Sequence, residues 1–334
     1  MSKKMNAVVF DHVGDPGVLQ HRQLDIPSVD ADSVIVKVQA CALNLLDYYL
    51  RIEEDPEMPM PHILGSDISG TVHEIGERIS GWHIGDEVLV SPAIESEDGR
   101  PGIIGYQTQG GYAEFCKVPG RNLVRKPANL SFEEAAAVPL AFVTAYHQVF
   151  TRGKVRCGEN VLVMGASGGV GSAAVQLCKL AGAFIVGSAG STEKMAKLAA
   201  LGADETVNHS SPQWYEKAMG ATGGKGFHLI CETIGGETLA KCIDLLGYGG
   251  RLITVGSTTG SELKLNVNDL FRKQATIGGS YLGTRDELLE VVKLLERKQI
   301  RPVVSTILPL AEAAEAHRQL EARNRFGKIV LRIG

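Results

Sequence analysis

Val161-Leu162-Val163-Met164-Gly165-Ala166-Ser167-Gly168-Gly169-Val170-Gly171 decides the fold. A short apolar run ends in a glycine-rich turn. Apolar Val170, Ala173, Ala174, Leu177, Cys178 and Ala181 then recur at helical spacing. The order is strand, tight turn, helix. Glycines at such a turn let backbone N–H groups approach a pyrophosphate, and the helix start adds partial positive charge. Ala166 stands where the first glycine of G-x-G-x-x-G usually is, while Gly168 and Gly171 keep the other two places. A bare match of this kind is weak, but here the strand before and the helix after supply the required context. Ala166, Ser167, Gly168, Gly169, Val170 and Gly171 are the expected dinucleotide cradle, and a purely structural turn is the alternative.

The next strand, Phe184-Ile185-Val186-Gly187, bears on which dinucleotide. An NAD site usually carries an acid about 20 residues past the glycines, to hold the ribose 2′-OH. Ser188 stands there instead. Ser188 and Ser191 as hydroxyl donors and Lys194 as a cation suit a 2′-phosphate, which points to NADPH. Glu193 weighs the other way. Ser191 also reads as a helix cap with Glu193 and Lys194 solvated, and the two readings are compatible.

The whole chain sets the bounds. Its 334 residues are enough for two domains. Apolar content of 44% with 22% charged residues belongs to a globular protein with an ample core. The net charge of −4, without a basic cluster, makes nucleic acid and anionic membranes poor partners. No apolar run reaches the length of a membrane span. Met1-Ser2-Lys3-Lys4 leads straight into strand-like Ala7-Val8-Val9-Phe10, so a cytoplasmic location is expected. The cysteines at 41, 116, 157, 178, 231 and 242 form no C-x-x-C pair and read as reduced core residues.

Residues 5 to about 125 read as β-rich, with strands over 34–40, 70–76, 85–90 and 111–118. Glu95-Ser96-Glu97-Asp98-Gly99-Arg100-Pro101-Gly102 reads as a polar loop. Phe132 to Phe150 is helix-forming, interrupted at Pro139. Beyond the glycine turn, strands near 184–187, 205–208, 228–232, 251–255 and 276–281 alternate with helices near 191–201, 236–246 and 285–297. That alternation predicts a doubly wound parallel sheet. A helix near 310–322 and a strand over 328–333 close the chain.

Several motifs in this order resemble the medium-chain dehydrogenase/reductase superfamily. They are Gly65-Ser66-Asp67-Ile68-Ser69-Gly70-Thr71-Val72, Gly85-Asp86-Glu87-Val88, Gly110-Gly111-Tyr112-Ala113-Glu114, Pro139-Leu140-Ala141-Phe142-Val143-Thr144-Ala145-Tyr146 and Phe326-Gly327-Lys328-Ile329-Val330-Leu331. The resemblance implies an α/β protein with a GroES-like β-rich catalytic domain over 1–126 and 283–334. It also implies a Rossmann domain with a doubly wound parallel sheet over 127–282, and an active-site cleft at their junction. Zinc members of the superfamily carry a ligand cysteine where Asn44 stands and a ligand histidine where Ser66 stands; of that ligand set only Asp67 is in register. Catalytic zinc needs about three protein ligands. Cys41, His62 and Asp67 are conceivable as a rebuilt set; their ordinary readings are a core cysteine, a surface histidine and a polar turn acid.

Asn44-Leu45-Leu46-Asp47-Tyr48-Tyr49 is similar to the Asn-x-x-Asp-x-Tyr run of the zinc-free, quinone-oxidoreductase-like branch, which includes quinone and enone reductases. The resemblance implies hydride transfer from NADPH to a quinone or α,β-unsaturated carbonyl, with no metal. Asn44, Asp47 and Tyr49 become the expected catalytic residues, Asn44 and Tyr49 as donors to the developing oxyanion. Their structural readings are a helix cap, a first-turn acid and a core tyrosine. It further implies Thr144 beside the nicotinamide ribose and Gly256 and Ser257 below the nicotinamide. Tyr281, Leu282 and Gly283 are expected near the carboxamide, His209 near the 2′-phosphate and Lys328 at the phosphates. A homodimer joined through the sixth strand of the parallel sheet is expected, since it would cover an open edge. The other readings are a zinc-dependent alcohol dehydrogenase-like enzyme with atypical ligands and a non-catalytic NADPH-binding protein.

Overall fold

The structure, a computed structural model, describes residues 3–94 and 99–334. The loop expected at Glu95-Ser96-Glu97-Asp98, and Met1-Ser2, lie outside the described residues. Two compact units emerge: Met1–Ala141 with Thr284–Gly334, and Phe142–Gly283.

The second unit is built on a six-stranded parallel sheet. Its strands lie side by side as Glu205–Asn208, Phe184–Ala189, Asn160–Val163, Phe227–Glu232, Leu246–Thr254 and Thr276–Gly279. The two central strands are pure hydrophobe where they pair, Val161-Leu162-Val163 against Leu229-Ile230-Cys231, because helices cover both faces of such a sheet. In chain order the sheet reads 3-2-1-4-5-6. The winding reverses between Asn160–Val163 and Phe227–Glu232, the place where such sheets bind ligands beyond the strand ends. The glycine turn sits there, leading into the helix Gly169–Leu180.

Helices Thr192–Leu201 and Gly236–Asp244 fall where expected, and two others were not expected: Trp214–Ala221 and Val267–Arg272. The first buries only Trp214 and Ala218 and the second buries nothing, so neither has an apolar stripe long enough to read. The sixth strand stops at Gly279 rather than 281. Ser280 makes one more bond to Thr254 O, then Leu282 turns left-handed at φ 52.

The first unit centres on the long strand Ser33–Ala42. It pairs antiparallel with Asp67–Ile75, with Phe115–Pro119 and with the closing strand Lys328–Arg332. Val304–Pro309 lies parallel outside Lys328–Arg332, and Glu87–Val90 and Leu123–Arg125 extend the other edge. The core gathers Val36, Val38, Cys41, Leu43, Ile68, Val72, Val88 and Leu331, among others. This unit reaches Ala141 because the helix Phe132–Ala136 packs on it. Ala136 and Ala137 meet Ala40, Ala42 and Val330, and Ser69 Oγ donates to Phe132 O at 2.6 Å.

Candidate active site

Strand register assembles the first unit's polar centre. Ala42 lies opposite Asp67 on one side and opposite Val330 on the other. Carried two residues further, the second register sets Lys328 across from Asn44. The Leu43 N–H to Ile329 O bond, 2.9 Å, continues that ladder. Gly327 makes the bend before Lys328; its φ is +91°, and a Cβ there would lie 2.2 Å from Val303 O.

The three side chains close a ring. Lys328 Nζ donates to Asn44 Oδ1 at 2.6 Å and to Asp67 Oδ2 at 2.7 Å. Asn44 Nδ2 donates to the same Asp67 oxygen at 3.0 Å. Asp67 Oδ1 accepts the Leu140 N–H at 2.5 Å. All three residues are buried. The ring fixes which end of the Asn44 amide is which, because Oδ1 must face the ammonium and Nδ2 the carboxylate.

Asn44 is also the N-cap position of the helix Leu45–Ile52, and Asp47 sits in its first turn. Asp47 is wholly buried. Its Oδ2 accepts Asn44 N–H at 2.6 Å and its Oδ1 accepts Gly65 N–H at 3.1 Å, tying the helix start to the turn before Asp67. Burial pushes its carboxyl up to about 7; the two N–H donors and the Lys328 charge act against that rise. The Tyr112 hydroxyl also bonds Asp47. Tyr112 meets His317 Nε2 at 3.4 Å, and Arg51 Nε donates to His317 Nδ1 at 3.1 Å. Since Nδ1 accepts, the imidazole is neutral with its proton on Nε2, in keeping with the fall of its pKa to about 3 through burial and the neighbouring guanidinium.

Lys328 corrects the expectation that it reaches phosphates: its ammonium is engaged with Asn44 and Asp67 in the first unit. His62 corrects the surface reading. It is fully buried, edge-on to Phe10, with Nε2 3.0 Å from Gly105 O. Asp67 is a buried strand residue and not a turn acid. Cys41 is a core residue. Tyr49 is half-buried, edge-on to Tyr48, and takes no part in the hydrogen bonds of the ring. Among the described residues no three His, Cys, Asp or Glu side chains gather at ligand distance.

The second unit holds the glycine turn. Gly165 has φ +63°, and a Cβ on Gly171 would lie 2.4 Å from Gly165 O. Both glycines are required by the turn itself. Gly168 is different. Its φ of −81° suits any residue, and the nearest atom to an added Cβ is Gly165 O at an ordinary 3.6 Å. The fold leaves that space open at the start of a helix, which fits a pyrophosphate approaching the backbone.

Beside the turn, Ser188 is buried with its hydroxyl engaged internally, accepting Gly165 N–H at 3.1 Å and bonding His209 Nδ1 at 3.1 Å. It braces the turn and stands between it and His209. Ser191 caps the helix Thr192–Leu201 by accepting the Lys194 N–H, and its own O–H is left to donate. His209 is held below its ordinary pKa by burial first and by the Lys194 charge second. Gly190 leaves room against His209 Nε2, 3.4 Å from where a Cβ would stand. Ser191, Lys194 and His209 thus lie on the segments that follow the second and third strands of the sheet.

Thr144 Oγ1 and Ser280 Oγ are buried without a hydrogen-bond partner, which costs each about 1–3 kcal/mol. Ser257 and Gly256 lie exposed after the fifth strand, and Leu282 and Gly283 are buried after the sixth with Tyr281 exposed. Sequence reasoning missed the Lys328–Asp67 pair, the Tyr112–His317–Arg51 chain and the bracing role of Ser188. Gly327-Lys328 was visible as a motif, but its partner was not.

An alcohol dehydrogenase GroES-like domain model matches residues 30–128, and a zinc-binding dehydrogenase model matches residues 169–297. Quinone oxidoreductase of Homo sapiens is 32% identical over 98% of this chain and 98% of its own. A crystal structure of an NAD-dependent alcohol dehydrogenase is 40% identical, with a TM-score of 0.95 over 99% of this chain and 100% of that one. A 2-octenoyl-CoA carboxylase reductase solved with NADP and 2-octenoyl-CoA is 27% identical, with a TM-score of 0.92 over 100% of this chain and 88% of that one.

Proposed function

Since the chain belongs to the medium-chain dehydrogenase/reductase superfamily and is an oxidoreductase, we propose that it is a zinc-independent, NADPH-dependent reductase of quinones or α,β-unsaturated carbonyls. One observation carries this reading: the Lys328 ammonium lies between Asn44 Oδ1 and Asp67 Oδ2. A dication at Asp67 would face that ammonium and an amide already bound to the same carboxylate oxygen. This donor set does not fit zinc.

Without a Lewis acid nothing lowers the pKa of an alcohol, and oxidation of simple alcohols is hard. An electron-poor acceptor needs less help. NADPH supplies the hydride when bound. As the β-carbon of an enone receives it, the π electrons move to the carbonyl oxygen, and a proton from water completes the reduction. The residues at the ring serve the developing oxyanion, with the Asn44 amide as donor and Tyr49 lining the same helix. Ser191, Lys194 and His209 support NADPH over NADH, with Ser188 bracing the turn in place of the acid an NAD site would carry. Thr144 is expected at the nicotinamide ribose, Gly256 and Ser257 below the ring, and Tyr281, Leu282 and Gly283 at its carboxamide. The edge strand Thr276–Gly279 supports a homodimer joined edge to edge. No helix of the described residues is long and apolar enough to cross a membrane. A cytoplasmic enzyme is our reading.

NADPH and NADH oxidation against a benzoquinone, a naphthoquinone, a cyclic enone, an enal, an enoyl thioester and a simple aldehyde tests this, with EDTA in one arm. NADPH-dependent, EDTA-resistant turnover of conjugated acceptors is expected. Activity confined to the aldehyde and lost in EDTA would make it a metal enzyme. Tight NADPH binding with no turnover would make it a binding protein.

A further inference from the structure

We propose that Lys328 is the positioning residue of the oxyanion site: it locks the Asn44 amide with one Nδ2 hydrogen left for substrate oxygen, and it supplies the fixed positive charge beside it. This rests on the reductase reading above.

The ring accounts for each hydrogen-bonding group. Lys328 has three N–H donors and uses two, on Asn44 Oδ1 and Asp67 Oδ2. Asn44 Nδ2 has two and uses one. Asp67 accepts from Lys328, Asn44 and the Leu140 N–H. One amide hydrogen and one ammonium hydrogen therefore lie uncommitted within a single hydrogen-bonded group. Unsatisfied donors collected around a buried cation make a place for an anionic oxygen.

Rotation of Asn44 by half a turn would put Oδ1 against the Asp67 carboxylate, which repels it, and Nδ2 against an ammonium that offers only donors. Lys328 and Asp67 together forbid that rotamer. The amide is thus preorganised, which is what makes an oxyanion donor effective. The cation comes from the tail of the chain, 284 residues after Asn44, and the antiparallel register delivers it. The ammonium is part of the fold, so it is present whatever else is bound.

The test compares Lys328→Gln, which keeps two amide hydrogens without charge, and Lys328→Arg, which keeps charge, with wild type, Asn44→Ala and Asn44→Ala/Lys328→Gln. Three readouts are taken: kcat and KM with the conjugated acceptor, the Kd of NADPH, and the absorbance of 4-nitrophenolate, an oxyanion probe, added to the NADP-loaded protein. We expect Lys328→Gln to lose on the order of 100-fold in kcat, as loss of one oxyanion donor does. Its NADPH affinity should stay within about twofold, well under the ~1.4 kcal/mol of a tenfold change. Lys328→Arg should recover part of the rate, and the double variant should lose less than the product of the two single losses. Nitrophenolate should bind wild type as the anion and fail to bind Lys328→Gln.

Unchanged kcat in Lys328→Gln with unchanged nitrophenolate binding would overturn the inference while leaving the reductase reading intact. Additive losses in the double variant would overturn positioning through Asn44. Lysine-dependent nitrophenolate binding without turnover of any acceptor would keep the oxyanion site and overturn the reductase reading. Should Lys328→Gln fail to fold, Lys328→Arg decides: fold and nitrophenolate binding retained support the inference, and binding lost in a folded Lys328→Arg overturns it.

Discussion

Gly168→Ala and Gly171→Ala separate what the glycine turn needs for folding from what it needs for binding. At Gly171 a Cβ would meet Gly165 O at 2.4 Å, Ala166 Cα at 2.6 Å and Gly165 C at 2.9 Å, all backbone. The turn would have to open by roughly half an ångström or more, and overpacking of this kind costs about 1–3 kcal/mol. In a unit of this size each kcal/mol lowers Tm by about 2–4 °C. At Gly168 the backbone is extended and the nearest atom is 3.6 Å away, so Gly168→Ala should cost no more than about 0.5 kcal/mol. Its methyl group would stand where a pyrophosphate must approach, so NADPH affinity should fall on the order of 10- to 100-fold, or about 1.4–2.8 kcal/mol. Thermal melts of the nucleotide-free proteins and NADPH titration by fluorescence measure the two effects apart. Gly171→Ala should melt early. Gly168→Ala should melt with wild type and bind poorly. Wild-type affinity in Gly168→Ala would refute the assignment of this turn to the pyrophosphate.

Thr144→Val removes a buried hydroxyl that has no partner, so the nucleotide-free protein should be as stable as wild type or more so, while NADPH binds several-fold more weakly; a stability loss would mean the hydroxyl has a structural bond. Lys194→Ala should weaken NADPH more than NADH, and an equal loss for both would remove it from the 2′-phosphate. Asp47 holds its proton in the folded protein up to about 7, whereas the unfolded chain releases it near 3.8. Its contribution therefore favours the fold most below about pH 4 and is lost as pH rises to about 7. Urea unfolding of wild type referenced to Asp47→Asn should show that loss, and a flat difference across the range would refute it. Burial is the main cause of that rise; the Asp67 charge adds to it, while the Asn44 and Gly65 N–H groups and the Lys328 charge oppose it.

Much of the fold was legible because it is written in local pattern. Val161 to Gly171 carries strand, turn and helix in consecutive residues, and the alternation beyond it fixes a parallel sheet. The exchange of ligand residues for Asn44 and Ser66 could likewise be read in place. Helices that bury little, such as Val267–Arg272, left no pattern to read. The direction of the Ser188 hydroxyl, toward Gly165 and His209, depends on which strand lies beside it. His62 looked solvated between Pro61 and Ile63, and it is Phe10 and Gly105, distant in sequence, that bury it.

Lys328 marks the division most clearly. The sequence determined that a lysine follows a glycine before the last strand, and that no metal-ligand set stands intact around Asn44. Only the tertiary structure decided that this lysine faces Asn44 and Asp67. Register between antiparallel strands far apart in the chain is set by the packing of both faces at once, and no local run of residues contains it.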